Sequence, residues 1–435
     1  MHRFLFLLLS LALPSIAKAD CPDLTSYYPG DQADWPALEQ QLAVLMPECL
    51  ESAEYFALYG AAQLNSGQVP DAVESLERAL LLDPDQGAAL IDYAQALFLQ
   101  GELFSALELN NRLLERQDLP GGLQPLIADR QRTWQAMTRQ RSIQLDLLAG
   151  YDDNLNGAPD PSQITLTLSG EPVLLTLNAE SRPVSGPYLN LRLAGGIRQL
   201  APDYQHNWTG EVRGRFSEHT DSDLVQLNGR YSYIRPGRNR SWQLNAATSN
   251  LFFGGSPLYT ATETGARYQP RVSGACKPYY KLAAQHQLYH KQGQLNALET
   301  KASAGANCPF GGSSGNQLFS AEVGALSNQA LKSTRPGDDR RGWQATLDWQ
   351  FITATGVYRA QINHTQLNDR SGYSELLEDG AKRRLGSGYV LLQYRRPLRA
   401  DTTLLINIYH QRQRSNIELF QTVDTTFELG LSLAL

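Results

Sequence analysis

Past residue 141 the sequence changes from a helical period to a period of two, and this alternation limits the fold more than any other feature. In Trp343-Gln344-Ala345-Thr346-Leu347-Asp348-Trp349-Gln350-Phe351 the odd positions are apolar and the even ones polar, so one strand carries an oily face and a wet face. Leu189, Leu191 and Leu193 alternate in the same way with Asn190 and Arg192. Trp208, Val212 and Phe216 oppose Thr209, Glu211, Arg213 and Arg215; Val225, Leu227, Tyr231 and Tyr233 oppose Gln226, Asn228, Arg230 and Ser232. The wet faces hold too many charges for a sandwich core. They suit the inner wall of a barrel whose outer face meets lipid.

Fourteen such segments are expected, at 143–153, 188–198, 206–217, 223–234, 240–252, 258–270, 277–290, 298–308, 316–327, 341–353, 355–368, 386–397, 401–413 and 424–435. An even number returns both chain ends to one side of the membrane. The connections 235–239 and 353–356 are short and belong on the inner side, whereas 154–187, 328–340 and 369–385 are long. Trp208, Tyr233, Trp242, Tyr259, Tyr289, Trp343 and Tyr409, near strand ends, suit interfacial girdles. The chain ends on the alternating strand Phe427 to Leu435, which resembles the signal read by the barrel assembly machinery, although that signal usually finishes with Phe.

Composition agrees with this reading. The chain is 42% hydrophobic and 19% charged, with 38 Lys and Arg against 44 Asp and Glu, and its mean hydropathy is −0.37. No apolar run is long enough for a membrane helix, and the mixed charge excludes a disordered tail or a nucleic-acid partner. A barrel places only alternate residues in lipid, so it reads as polar overall.

Residues 1–19 read as a cleaved signal peptide: Met1-His2-Arg3 is basic, Phe4 to Ala12 is almost wholly apolar, and Ala17-Lys18-Ala19 supplies small residues before Asp20. The apolar stretch is too short for an anchor, and Asp20 is a poor predecessor for a lipidated Cys21. Residues 20–141 are expected to form a periplasmic helical domain. Gly60, Gly67, Ala72, Ala79 and Pro84 follow a helical-hairpin pattern, and Ala94, Gly101 and Ala106 recur 34 residues after the first three. This resembles a tetratricopeptide array with two units, Gly67 and Gly101 making the turns and Tyr59 and Tyr93 filling equivalent packing positions. Segments 25–52 and 121–141 are expected to add capping helices. The array serves as a spacer or as a groove for an extended peptide. The expected class is thus α+β multidomain, with tetratricopeptide repeats ahead of a 14-stranded antiparallel transmembrane β-barrel.

Four cysteines in an exported chain invite pairing. Three connectivities exist, and the local one, Cys21 with Cys49 and Cys276 with Cys308, fits the domain division. If 277–290 and 298–308 form a hairpin centred on Gln292, Cys276 and Cys308 stand opposite each other at the periplasmic ends.

Helical repeats followed directly by such a barrel narrow the family further. The stretch Gly150-Tyr151-Asp152-Asp153-Asn154-Leu155-Asn156-Gly157-Ala158-Pro159, followed by Ile164 to Leu168 and Pro172 to Leu177, resembles the first strand and loop of the surface lipoprotein assembly modifiers, the Slam-type translocons. The resemblance covers nearly the whole mature chain. It implies a monomeric outer-membrane translocon that moves a substrate protein, a surface lipoprotein or a small secreted haem- or metal-acquisition protein, from periplasm to cell surface. Periplasmic chaperones, the barrel assembly machinery and outer-membrane lipid are the implied partners, and no cofactor is implied. A lumen lined by Glu211, Arg213, Arg215, Arg230, Lys281, Asp348, Arg359 and Asn363 suits a hydrated chain, because mixed charge discourages tight binding to either sign. Tyr151, Asp152, Asn154 and Asn156 either gate the first strand or cap it as turn residues. An exopolysaccharide export porin is the alternative, although such porins carry longer repeat arrays and sixteen strands.

An enzyme is not expected. Gly311-Gly312-Ser313-Ser314-Gly315 matches Gly-x-Ser-x-Gly formally, but it falls in a turn between strands instead of a strand-to-helix elbow. His286 and His290 share a strand face with no third metal ligand evident and are expected to be girdle residues. The acidic run Glu375 to Asp379, followed by Lys382-Arg383-Arg384, is expected to be a solvated outer loop.

Overall fold

The computed structural model describes residues 21–435 apart from Pro29, Asp31, Gln32, Arg238, Ser313 and Ser314. The expected signal peptide lies outside the described residues. The chain divides into two compact units, one ending at Thr138 and the other running from Arg139 to Leu435. The boundary falls three residues before the expected one.

Among the described residues the first unit holds six α-helices: α1 (Trp35–Leu45), α2 (Ala53–Asn65), α3 (Val69–Leu82), α4 (Gly87–Gln100), α5 (Leu103–Glu115) and α6 (Gln124–Met137). Helices α2–α3 and α4–α5 are the two repeat hairpins. Gly67 (φ +83°) and Gly101 (φ +92°) end α2 and α4 in the left-handed region, which a side chain resists. A Cβ at Gly60 would lie 2.6 Å from Leu76 Cγ, so the small residue is what lets α2 approach α3. Leu42, Tyr55, Ala62, Ala72, Leu76 and Ala79 build the core, and the Tyr55 hydroxyl donates to the Leu42 carbonyl at 2.8 Å. Helix α1 and the Cys21–Cys49 disulfide close this end. Helix α6 closes the other, where Trp134 stacks on Phe98 at 4.7 Å.

The second unit is a closed antiparallel barrel. Its strands are β1 (Arg139–Asp152), then β4 (Gly186–Leu200), β5 (Gln205–Ser217), β6 (Leu224–Arg235), β7 (Arg240–Phe253), β8 (Ser256–Pro270), β9 (Lys277–Tyr289), β10 (Ala297–Gly312), β11 (Gly315–Ala330), β12 (Arg340–Ile352), β13 (Val357–Gly372), β14 (Lys382–Pro397), β15 (Thr402–Ser415) and β16 (Thr422–Ala434). All fourteen expected segments are barrel strands. Between β1 and β4, where the alternation predicts a long loop, lies a hairpin outside the barrel, β2 (Gln163–Leu168) with β3 (Glu171–Thr176). Strands β1 and β16 close the ring through the shortest ladder, from Gln144–Ala434 to Asp152–Thr426.

Leu189, Leu191 and Leu193 on β4, Leu282 on β9 and Phe427, Leu429 and Leu431 on β16 are all exposed. An apolar outer band of this kind belongs in lipid. Trp242 and Tyr268 meet at 4.5 Å on this face, and Trp208 and Trp343 also point outward. Tyr259, Tyr289 and Tyr409 do not. Tyr259 pairs with Tyr289, and Tyr409 with Thr426, on the positions that alternate with the lipid-facing ones. Being aromatic and near a strand end did not determine parity, and these three face inward. The long connections all lie at the end opposite Arg139, together with the two-residue turn Gly254-Gly255 between β7 and β8. Cys276 and Cys308 are bonded across the β9–β10 hairpin at the other end, with Cα atoms 4.0 Å apart.

Candidate functional site

The barrel's inner wall carries the charges. Glu211, Arg213 and Arg215 on β5, Arg230 on β6, Lys281 on β9, Asp348 on β12, and Arg359 and Asn363 on β13 occupy positions that alternate with exposed apolar residues. Most are neutralised in pairs across strands. Arg192 of β4 lies between Asp146 (2.9 Å) and Glu211 (2.7 Å), Arg359 meets Asp348 at 2.6 Å, and Glu322 sits between Lys281 and Lys301. Asn363 donates to the Thr346 hydroxyl at 2.8 Å. Glu428 accepts from Tyr188 (2.9 Å), Asn190 (2.6 Å) and Asn407 (2.9 Å), which ties β16 to β4 and β15. Asp146, Arg192, Glu322 and Glu428 were absent from the expected set, yet the same alternation marks them: each is a charge in an apolar strand face's gap. A cavity of about 670 Å³ opens beside Arg192, Glu211, Asn228, Arg230, Glu263 and Gln285. Paired charges make this wall polar without a dominant sign.

The motif after β1 separates into two roles. Tyr151 points outward opposite Phe427 and is half-exposed. Asp152 is fully buried, takes the Asn154 N–H at 2.7 Å and pairs with Arg215, whose other arm donates to the Leu155 carbonyl at 2.7 Å. Asn154 donates to the carbonyls of Ala158 and Val423 and accepts from the Ala158 N–H, each at 2.9 Å. Asn156 donates to the Arg182 carbonyl and accepts from the Val184 N–H. These residues knit the first loop to the last strand. Asp152, Asp153 and Asp424 bring carboxylates within 4.8 Å of one another, the spacing a cation would need. Asp152 is committed to Arg215 and Asp153 to the Thr425 N–H, so the group fits a clasp.

At the end opposite Arg139 several inward residues are buried. Inward residues of an open barrel touch water, but Asn328 (3% exposed), Asp369 (6%) and Arg383 (5%) do not. Hairpin β2–β3 folds onto the neighbouring outer loops: Thr167 N–H donates to the Leu376 carbonyl, Thr165 N–H to Glu418, and Leu166 bridges Leu377. Buried Leu155, Ile164, Leu377 and Ile417 give these loops an apolar core. The run Glu375 to Asp379 is therefore partly packed, with Leu377 buried, and Arg383 is a buried wall residue instead of part of a solvated loop. The Ser of Gly-x-Ser-x-Gly lies outside the described residues, and the flanking Gly312 and Gly315 end one strand and start the next. His286 lies on β9, and His290, just beyond it, bonds the Thr260 hydroxyl at 2.9 Å.

In the helical unit a buried polar group joins α6 to the second repeat. Asn110 donates to the Ile127 carbonyl and to Gln131, and Arg130 donates to Asn110 and to the Ile91 carbonyl while its guanidinium lies 4.9 Å from the centre of the Trp134 ring. Burial pushes the Asp92 carboxyl up to about 6, against the pull of Arg130. Burial likewise raises the Tyr55 hydroxyl to about 12.

Residues 63–120 match the tetratricopeptide repeat family. No curated protein matches the chain. Among solved structures, the barrel is similar to an anion-selective porin from Comamonas acidovorans, at 11% identity and a TM-score of 0.38 over 68% of this chain and 99% of that one. It is similar to the outer-membrane channel DcaP of Acinetobacter baumannii, at 7% identity and 0.39 over 69% and 98%. A bacterial polysaccharide outer-membrane secretin aligns at 9% identity and 0.35 over 67% and 98%. The chain joins a tetratricopeptide unit to a closed fourteen-stranded barrel.

Proposed function

We propose that this protein is an outer-membrane translocon that delivers a substrate protein, a surface lipoprotein or a small secreted haem- or metal-acquisition protein, from the periplasm to the cell surface. The observation that carries the reading is a polar lumen, most of whose charges are neutralised in pairs, with buried side chains at its outer end under a hairpin. A pore for small solutes works best open. A channel for an occasional large cargo is better shut at rest, and a wall without a dominant charge lets an unfolded chain slide. In this reading the helical unit lies in the periplasm and receives the cargo or its chaperone. The repeat hairpins, the fourteen strands and the Tyr151 to Pro159 motif support a Slam-type translocon in particular.

The test is co-expression with each neighbouring exported gene, followed by protease shaving of intact cells. One neighbour is expected to become surface-accessible only when the barrel is present. Protection of every candidate, with the barrel correctly inserted, overturns the proposal. A neighbouring polysaccharide synthase together with such protection favours the export-porin reading.

A further inference from the structure

The outer end of the lumen holds more positive charge than its contacts neutralise. Arg340 opens β12, Arg383 lies on β14, and Arg335 comes from the loop between β11 and β12, which turns through Gly337 (φ +78°) and Asp338 (φ +59°) against β13. Their shared carboxylate is Asp369, whose oxygens lie 3.2 Å from Arg340 Nε and 3.2 Å from Arg383 Nε, neither nitrogen aligned for a hydrogen bond, while Arg383 Nη2 donates to Asp369 Oδ1 at 3.4 Å. Arg383 is held between the rings of Tyr373 (4.5 Å) and Phe420 (4.4 Å).

Arg335 is 6% exposed and forms no ion pair with a carboxylate among the described residues. Its Nη2 donates to Asn328 Oδ1 at 2.6 Å, while Nε and Nη1 have no partner. The other nearby carboxylates are committed elsewhere. Glu299 accepts from Asn328 at 3.1 Å, and Asp339 accepts the Ala330 N–H and lies 3.8 Å from Arg370.

A buried guanidinium with idle donors is costly unless an anion completes it. We propose that Arg335, Arg340 and Arg383 form a binding site for a phosphate group at the outer mouth. Three guanidinium groups against the carboxylates of Asp369 and Glu299 leave positive charge over, which an anionic phosphate offsets, and idle Nε and Nη donors suit oxyanion oxygens. The phosphate comes from free solution or from a lipid headgroup of the outer leaflet.

The test uses the full-length protein folded in detergent, in phosphate-free buffer, with trypsin cleavage after Lys332 as the readout of the loop that carries Arg335. Inorganic phosphate is expected to slow that cleavage saturably, by about tenfold, while chloride at matched ionic strength leaves it unchanged. Arg335→Met is expected to abolish the protection and, without phosphate, to resist unfolding at least as well as the parent, because an unpaired buried charge is gone. Arg340→Met should weaken protection likewise and stands in should the first variant not fold. Lipopolysaccharide micelles form a second arm: protection at phosphate concentrations too low for the free ion assigns the headgroup as source, and equal potency assigns the free ion. No phosphate dependence in the parent, equal dependence in Arg335→Met, or faster cleavage of that variant without phosphate overturns the proposal.

Discussion

Replacing Asn154 by Ala should open the first outer loop without unfolding the barrel. Asn154 is 3% exposed and makes three hydrogen bonds of 2.9 Å, two to the backbone of Ala158 and one to the Val423 carbonyl on β16. The variant strands two carbonyls and one N–H. At about 1 kcal/mol for each stranded group once water reaches it, the loop loses about 3 kcal/mol of local stability, or roughly 10²-fold in its closed-to-open ratio. The barrel's fourteen ladders are untouched, so the shift between boiled and unboiled samples on gels, which reports a folded barrel, should persist. Glu180 sits in the same loop and gives the readout: its rate of cleavage by a glutamate-specific protease should rise on the order of 10²-fold. An unchanged rate would show that the clasp does not hold the loop. Loss of the gel shift would show that the motif supports the barrel itself, and the local account would fail.

Other consequences are open to measurement. Since Asp92 keeps its proton to about pH 6 when folded, it contributes stability below about pH 4 that is lost as pH rises through 6. Asp92→Asn should therefore stabilise the helical unit at pH 7.5 by about 1–2 kcal/mol, the full shift halved for partial hydration and lost attraction to Arg130. Urea unfolding followed by helical circular dichroism checks this, and a less stable variant would refute it. Removing the Cys21–Cys49 link, which spans 28 residues, should lower the stability of the same unit by about 3 kcal/mol in that assay, with the barrel's gel shift unchanged. Oxidising a Leu166→Cys, Leu377→Cys pair should lock hairpin β2–β3 to the β13–β14 loop and reduce cargo display at least tenfold, reversibly with reductant; display that ignores the cross-link would mean that the hairpin need not move.

Strand positions were legible because one physical rule, lipid on one side and water on the other, acts on every residue of a barrel strand. The same rule exposed Glu211, Lys281 and Asp348 as inward residues and placed Cys276 opposite Cys308. It was silent where neither lipid nor bulk water decides. Gln163 to Leu168 alternates like a barrel strand, but six residues cannot span a bilayer, and its place over the outer loops comes from contacts with Leu377 and Glu418, far away in sequence. Tyr259, Tyr289 and Tyr409 were misassigned because a tyrosine suits either a girdle or a wall. Arg335 lies in a loop with no period at all, and only the fold reveals its neighbours.

The clasp at Asn154 joins the beginning of the barrel to its end, since Val423 and Thr425 belong to the last strand made. Until β16 is made, Asp153 and Asn154 have nothing to hold, because their partners do not yet exist. The helical hairpins, built from contacts between sequence neighbours, fold early and without the membrane. Ring closure waits for β16 to find β1 across almost three hundred residues, and the motif completes its bonds only then. A chain truncated before Val423 would carry a finished helical unit and an unfastened barrel, which makes closure of this seam the natural checkpoint between an inserted protein and an abandoned one.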